Sequence, residues 1–65
     1  MNKYTKSEIL DLMKYSAAEF KNGSWVTGIV ITDKRWIMTL HNGKRTSLYN
    51  APEDGWELMA VTYEC

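Results

Sequence analysis

The sequence predicts a small α+β domain in which one N-terminal helix packs on a four-stranded, mostly antiparallel sheet. Three observations lead to this fold class. Apolar residues recur at the helical period near the N-terminus, β-branched residues are frequent after Gly23, and Asn42-Gly43 marks a tight hairpin. Because 65 residues are too few for two hydrophobic cores, residues 1–65 are interpreted as one domain.

The first element is a helix predicted at about residues 6–21. Thr5 and Glu8 have the spacing of a capping box, and Gly23 is typical of the left-handed residue that ends a helix. An apolar stripe follows at helical spacing, and we expect it to face the sheet. The stripe consists of Ile9, Leu12, Met13, Ser16, Ala17 and Phe20.

The rest of the chain reads as strands and turns. Asp33-Lys34 is interpreted as a tight turn, and Asn42-Gly43 as a type I′ turn with positive φ at both positions. Two-residue loops at these sites would place Ile31 opposite Trp36 and His41 opposite Lys44. The four strands are predicted at about residues 24–32, 35–41, 44–50 and 56–64.

The predicted registers divide the sheet into two faces, because directly opposed residues share a face. The bulkier face, expected to receive the helix, carries Trp25, Ile29, Ile31, Trp36, Met38, Leu40 and Tyr49. The other face carries Val26, Gly28, Val30, Ile37, Thr39, His41, Thr46 and Leu48. One helix cannot cover both, so the second face is expected either to curl inward or to be a contact surface. A one-residue slip in the first turn would change this assignment.

No residue pattern indicates catalysis, and the chain is predicted not to be an enzyme. His41 is the only histidine and precedes a hairpin turn, where a polar residue is expected anyway. Cys65 is the last residue and has no feature that would activate its thiol. The paired acids Glu53-Asp54 are typical turn formers. No cofactor site, metal site or catalytic residue is therefore predicted.

The net charge is zero, but the charges are unevenly distributed along the chain. This balance argues against a dedicated nucleic-acid binder, which normally has a basic excess. The region between residues 34 and 45 contains only basic charges: Lys34, Arg35, Lys44 and Arg45. From residue 53 onward the charges are all acidic: Glu53, Asp54, Glu57 and Glu64.

These features favour a non-enzymatic protein-interaction module that occupies a surface of another protein. Its small size suggests an inhibitor or regulator of the kind that phages and mobile elements encode against host proteins. An acidic segment would steer it toward a basic partner, such as a nucleic-acid-handling protein. The predicted contact residues are the sheet-face residues Val26, Val30, Ile37 and Leu48 and the acidic residues Glu53, Asp54 and Glu57. Homo-oligomerisation is left open.

The alternative is a small nucleic-acid-binding protein. Trp36 and Tyr49 would lie between the basic ends of the predicted hairpin and could stack bases between cations. The competing interpretation places both rings in the core and leaves the charges as solvated edges that discourage strand aggregation. The residues that would bind nucleic acid are Lys34, Arg35, Lys44 and Arg45.

A cytoplasmic location is expected from three features of the sequence. The single cysteine cannot close an internal disulfide, which suits a reducing compartment. The N-terminal residues lead into an amphipathic stretch rather than a signal-peptide core. No apolar run approaches the roughly 20 residues that a membrane-spanning helix needs, so no membrane association is predicted.

Overall fold

One helix and a five-stranded antiparallel sheet form the fold in the computed structural model, which describes residues 3–63. The strand order is β4-β3-β2-β1-β5, and every neighbouring pair is antiparallel. The elements are α1 (Lys6–Leu12), β1 (Ser16–Asn22), β2 (Trp25–Val30), β3 (Trp36–His41), β4 (Lys44–Arg45), a 3₁₀ helix (Leu48–Asn50) and β5 (Glu57–Tyr63). The predicted α+β class is confirmed, with five strands where four were expected.

Helix α1 begins with the capping box that the sequence predicts. The Thr5 hydroxyl accepts a hydrogen bond from the Glu8 backbone N–H at 3.2 Å, and the Glu8 carboxylate accepts one from the Thr5 N–H at 2.8 Å. Two backbone donors at the helix start are thereby satisfied. The helix buries Ile9 completely, and Met13 just after its end is also buried.

The predicted helix over residues 6–21 is too long, because α1 ends at Leu12 and Ser16–Asn22 forms β1. Ser16 and Phe20 are four residues apart, a spacing that fits both a helical stripe and a strand with period two. In the structure Ser16, Ala18 and Phe20 are buried while Glu19 is exposed, as strand alternation requires. Strand β1 pairs with a neighbour on both sides, and these ladders outweigh the high helix propensity of its alanine, glutamate and lysine residues.

The prediction that Gly23 ends the first helix is wrong for a related reason. Asn22 pairs with Trp25, so Gly23-Ser24 is a two-residue hairpin loop between β1 and β2. Gly23 has φ of +62°, as the first central residue of a type II′ hairpin turn requires. A helix stop and this hairpin turn both need positive φ, and glycine satisfies either one.

The second predicted turn is confirmed at the β3–β4 hairpin. Asn42 has φ of +56° and Gly43 of +80°, the positive values that a type I′ turn needs. His41 pairs with Lys44 and Leu40 with Arg45, in the predicted register.

The predicted strand at residues 44–50 forms only at its first two residues, Lys44 and Arg45. The Ser47 hydroxyl accepts a hydrogen bond from the Tyr49 N–H at 3.1 Å and begins the 3₁₀ helix. The Lys6 ammonium donates to the carbonyls of Leu48, Tyr49 and Ala51, at 3.4, 3.4 and 3.0 Å. These bonds hold the chain away from the sheet and over the core.

The predicted register between β2 and β3 is wrong by one residue. Val30 pairs with Trp36, and a five-residue loop replaces the two-residue Asp33-Lys34 turn. Within this loop the Thr32 hydroxyl donates to the Lys34 carbonyl at 3.0 Å and accepts from the Lys34 N–H at 3.4 Å. Because side chains alternate along a strand, the slip moves every β3 side chain to the other face relative to β2.

The observed pairing defines a covered face and an open face of the sheet. The covered face packs under α1 and carries Ser16, Ala18, Phe20, Trp25, Thr27, Ile29, Ile37, Thr39, His41, Leu58 and Val61. The open face carries Ala17, Glu19, Lys21, Val26, Gly28, Val30, Trp36, Met38, Leu40, Arg45, Glu57 and Ala60. Each of the two predicted faces is therefore divided between the two observed ones.

The core lies between the covered face, α1 and the loop that precedes β5. Trp56 is completely buried, and its indole N–H donates to the Pro52 carbonyl at 2.9 Å. The Tyr4 ring meets the buried Phe20 ring edge-on, with centroids 5.5 Å apart. The buried apolar residues are Ile9, Met13, Ala18, Phe20, Ala51 and Trp56, with Tyr4, Trp25, Ile29 and Leu48 packed around them. Within residues 3–63 no helix has the length and apolarity to cross a bilayer.

Candidate protein-interaction surfaces

The open face contains a shallow groove of about 350 Å³. Gly28 forms its floor, and the Glu19 side chain lies so close that a Cβ on Gly28 would come within 2.9 Å of the Glu19 Cγ. The walls are mainly apolar. The groove is lined by Glu19, Val26, Gly28, Ile29, Val30, Ile31, Met38 and Leu40.

Charges flank this apolar strip on opposite sides. On the β3–β4 side the Arg45 guanidinium lies over the Trp36 ring, 5.1 Å from its centroid, which is cation–π geometry. On the other side Glu19 projects from β1 and Glu57 from β5, with Lys21 directly opposite Glu57. The open face therefore runs from a basic margin through apolar side chains to a mainly acidic margin.

A second groove, also of about 350 Å³, lies between the end of α1 and β5; we call it the α1–β5 groove. A β-bulge in β5 places two of its side chains on one side of this groove. Glu19 pairs with Ala60 and Phe20 with Leu58, so Met59 is an extra residue in β5. Leu58 and Val61 consequently lie on the same face, although three residues apart they would otherwise lie on opposite faces. The groove is lined by Tyr4, Asp11, Leu12, Tyr15, Ser16, Ala18, Leu58 and Val61.

β5 is an edge strand of the sheet. Tyr4 pairs with Trp56 just before β5 begins, and among the described residues no strand pairs with the outer edge of Glu57–Tyr63. Residues 58–63 contain no charge and no proline, the features by which proteins commonly protect an edge. Leu58, Met59 and Val61 are 42%, 53% and 40% exposed, so this edge presents apolar side chains to solvent.

The structure does not bring the four predicted sheet-face residues together. Val26 and Val30 lie on the open face and line its groove. Ile37 lies on the covered face because of the register slip, and it is 40% exposed there. Leu48 packs against the core because β4 ends before it.

The three predicted acidic residues lie close together in the chain at the start of β5. Glu53 and Asp54 are exposed in the loop before the strand, where the Asn22 side-chain amide donates to the Asp54 carbonyl at 2.7 Å. Glu57 is half-buried as the first residue of β5, with a carboxylate oxygen 3.4 Å from the Lys3 Nζ.

Arg35, predicted as a nucleic-acid contact, performs a structural task. Its guanidinium donates to the backbone carbonyls of Met13, Lys14 and Ser16, which follow the end of α1. A cation is favourable at this end of a helix, where carbonyl groups lack intrahelical partners. Sequence reasoning missed this role because the accepting carbonyls are 19–22 positions away in the chain.

The other predicted nucleic-acid contacts are spread over the molecule. Lys34 precedes β3 and Lys44 follows it, so a strand of about 20 Å separates them. Both lysines are exposed, whereas the Arg45 guanidinium lies on the Trp36 ring of the open face. The four basic residues therefore do not form a single patch.

His41 stacks on Trp25, with ring centroids 4.2 Å apart and planes within 8° of parallel. The stack packs the histidine ring against the covered face of the sheet. Among residues 3–63 no cluster of three or more His, Cys, Asp or Glu side chains could hold a metal ion. Cys65 and Glu64 lie outside the described residues.

Comparison with known proteins does not assign a function, so a functional proposal depends on these surfaces. No family model, curated protein or solved structure matches this chain.

Proposed function

We propose that the chain is a non-enzymatic protein-interaction module that binds another protein through the α1–β5 groove and the adjoining edge of β5. One observation carries the proposal: the uncharged part of the edge strand, residues 58–63, displays Leu58 and Val61 beside an apolar groove. An edge of this kind is a template for an added strand, whose backbone would bond to β5.

The groove gives such a strand a place for an apolar anchor. The side chains of Leu12 and Tyr15 from the α1 end face those of Leu58 and Val61 across it. Burying one aliphatic side chain from the partner contributes about 1.5–3 kcal/mol before association costs. Backbone pairing would orient the strand, and the groove would select the side chain.

Acidic residues near the groove favour a partner with basic residues beside its anchor. Asp11 lines the groove, and Glu57 begins the same strand. Their present partners are Lys14, at 3.5 Å, and Lys3, at 3.4 Å. Such exposed pairs contribute only about 0–1 kcal/mol, so the cations of a partner can replace them. That the partner is a nucleic-acid-handling host protein, and the chain a phage-type inhibitor, stays a prediction.

The proposal is tested with a matched pair of variants in an affinity pull-down from the source cell's lysate. Val61→Glu places a charge in the α1–β5 groove, whereas Ile37→Glu places one at a position equally exposed, at 40%, on the far side of the covered face. We expect Val61→Glu to abolish recovery of a nuclease-resistant protein partner and Ile37→Glu to retain it. Equal loss with both variants would contradict the proposal.

The nucleic-acid alternative is favoured by one observation, the Arg45 guanidinium over a partly exposed Trp36 ring. It predicts that Lys34→Glu/Lys44→Glu/Arg45→Glu loses binding to single-stranded oligonucleotides and that binding of the unmodified chain weakens steeply with salt. Arg35 is left unchanged because it contacts carbonyls at the end of α1. Salt-independent or absent oligonucleotide binding would exclude this alternative.

A further inference from the structure

We infer that the open face binds the open face of a second copy of this chain, forming a two-fold symmetric β-sandwich dimer. This interface is separate from the α1–β5 groove and goes beyond the proposed function. In the described part of the chain α1 lies against the other face of the sheet. The molecule measures 30 × 27 × 16 Å, so its broad side offers a second copy a wide contact surface.

The apolar centre of the open face is complementary to itself. Consider a two-fold axis that runs along the strands, between β2 and β3, in the plane of contact. It places β2 of one copy over β3 of the other. Because Gly28 pairs with Met38 within one sheet, Gly28 and the Glu19 side chain beside it then face Met38 of the second copy. In the same way Val26 faces Leu40 of the second copy, and the two inner faces can interdigitate as in other sandwiches.

The charges at the margins are also self-complementary. The same axis places β4 over β1 of the second copy, because these strands are equally far from it in the order β4-β3-β2-β1-β5. The Arg45 backbone of each copy then lies level with Lys21 of the other, and its guanidinium extends from there toward Glu19.

The positions of the two charges along the strands also agree. Arg45 is paired with Leu40, but its guanidinium reaches back toward Trp36 and so stands near the level of Met38. That level is shared by Gly28, across which the Glu19 side chain lies. The dimer would contain two such ion pairs, one on each side of the axis.

A second copy fits this face better than an unrelated partner for two reasons. The sequence of basic margin, apolar strip and acidic margin meets its own reverse under two-fold symmetry, so the Arg45 guanidinium meets the margin that carries Glu19. Lys21, also on the open side of β1, already has an acidic neighbour in Glu57. In addition, a 65-residue chain buries only about 60% of its unfolded surface, and burial of a second apolar face raises that fraction.

Charge reversal tests the inference. Sedimentation velocity under reducing conditions should show a dimer for the unmodified chain. Glu19→Arg sets Arg against Arg, and Arg45→Glu sets Glu against Glu, so each variant alone should dimerise at least about tenfold more weakly. An equimolar mixture of the two variants restores both ion pairs, so native mass spectrometry should show the heterodimer as the dominant species.

Control variants separate the possible outcomes. Lys34→Glu makes the same kind of change at an exposed loop position and should leave the dimer intact. Val61→Glu should also remain dimeric, which distinguishes this interface from the α1–β5 groove. A monomeric unmodified chain at every soluble concentration would overturn the inference. So would single variants that dimerise normally, or a mixture that fails to form the heterodimer while both variants keep native circular dichroism.

Discussion

At the scale of single residues, long polar side chains hold the irregular segments in place. Arg35 contacts three carbonyls after α1, and Lys6 contacts three carbonyls around the 3₁₀ helix. Each joins elements that are distant in sequence. Such contacts leave no local signature, and this is why Arg35 was predicted as a nucleic-acid contact from its charge alone.

The first prediction concerns Arg35. Arg35→Ala should lower the free energy of unfolding by about 1.5–3 kcal/mol, since hydrogen bonds to a charged group are lost and carbonyls lose their donor. Arg35→Lys should recover only part of this loss, because an ammonium cannot reproduce the planar fork of the guanidinium. Urea unfolding followed by circular dichroism measures both. Lys34→Ala is the exposed control, and an equal loss there would rule out a specific role for Arg35.

At the scale of elements, the segment predicted as the second half of a helix is a central strand. Of its predicted stripe Ser16 and Phe20 are buried, whereas Ala17 lies on the open face and Ala18 is buried in its place. The sequence therefore identifies Phe20 as a core residue while assigning it the wrong backbone. Leu12, by contrast, belonged to the predicted stripe but is 41% exposed. Substitutions at Phe20 and Leu12 therefore test whether the predicted helical stripe or the observed strand alternation describes the core.

Phe20→Ala should destabilise the protein by about 3–5 kcal/mol, the usual cost of removing a fully buried phenylalanine. Leu12→Ala should cost less than about 1 kcal/mol, because a partly exposed side chain loses little burial. Denaturant melts of the two variants provide the comparison. Similar losses for both would indicate that the helical stripe, and not the strand alternation, describes the core.

The β3–β4 turn is the element that the sequence predicts most completely. Gly43→Ala should cost about 1–2 kcal/mol, since a residue with a Cβ is strained at φ of +80°. Asn42→Gly keeps a residue that tolerates positive φ and should change stability little. Thermal melts measure both variants. Retention of full stability by Gly43→Ala would contradict the positive-φ turn.

How far the sequence predicts the fold depends on whether the determining interactions are local. The capping box at Thr5 and the turn at Asn42-Gly43 are set by adjacent residues and were predicted correctly. The β2–β3 register depends on a five-residue loop whose end, Arg35, contacts the end of α1. The loss of strand structure after Arg45 depends on Lys6, some 40 residues earlier. These long-range contacts could not be inferred from spacing.

The candidate surfaces follow the same rule. That an apolar sheet face would lack a helix could be predicted, because the chain has only one helix to offer. Which residues form that face could not be predicted. The one-residue slip in the β2–β3 register places Met38, and not Ile37, on the open face. The α1–β5 groove was not anticipated at all, since it depends on a bulge at Met59 that alternation alone does not reveal.

At the scale of the whole molecule, stability depends on a very small core in which Trp56 is the largest fully buried side chain. A domain of this length is expected to have about 3–10 kcal/mol of total stability, at roughly 0.05–0.15 kcal/mol per residue. Trp56→Ala should cost about 3–5 kcal/mol and leave a large unfolded fraction at 37 °C. Trp56→Phe keeps most of the apolar contact but loses the hydrogen bond to the Pro52 carbonyl, so it should fold with reduced stability. Near-ultraviolet circular dichroism and urea titration of both variants test this order, and a Trp56→Ala protein as stable as Trp56→Phe would show that the core lies elsewhere.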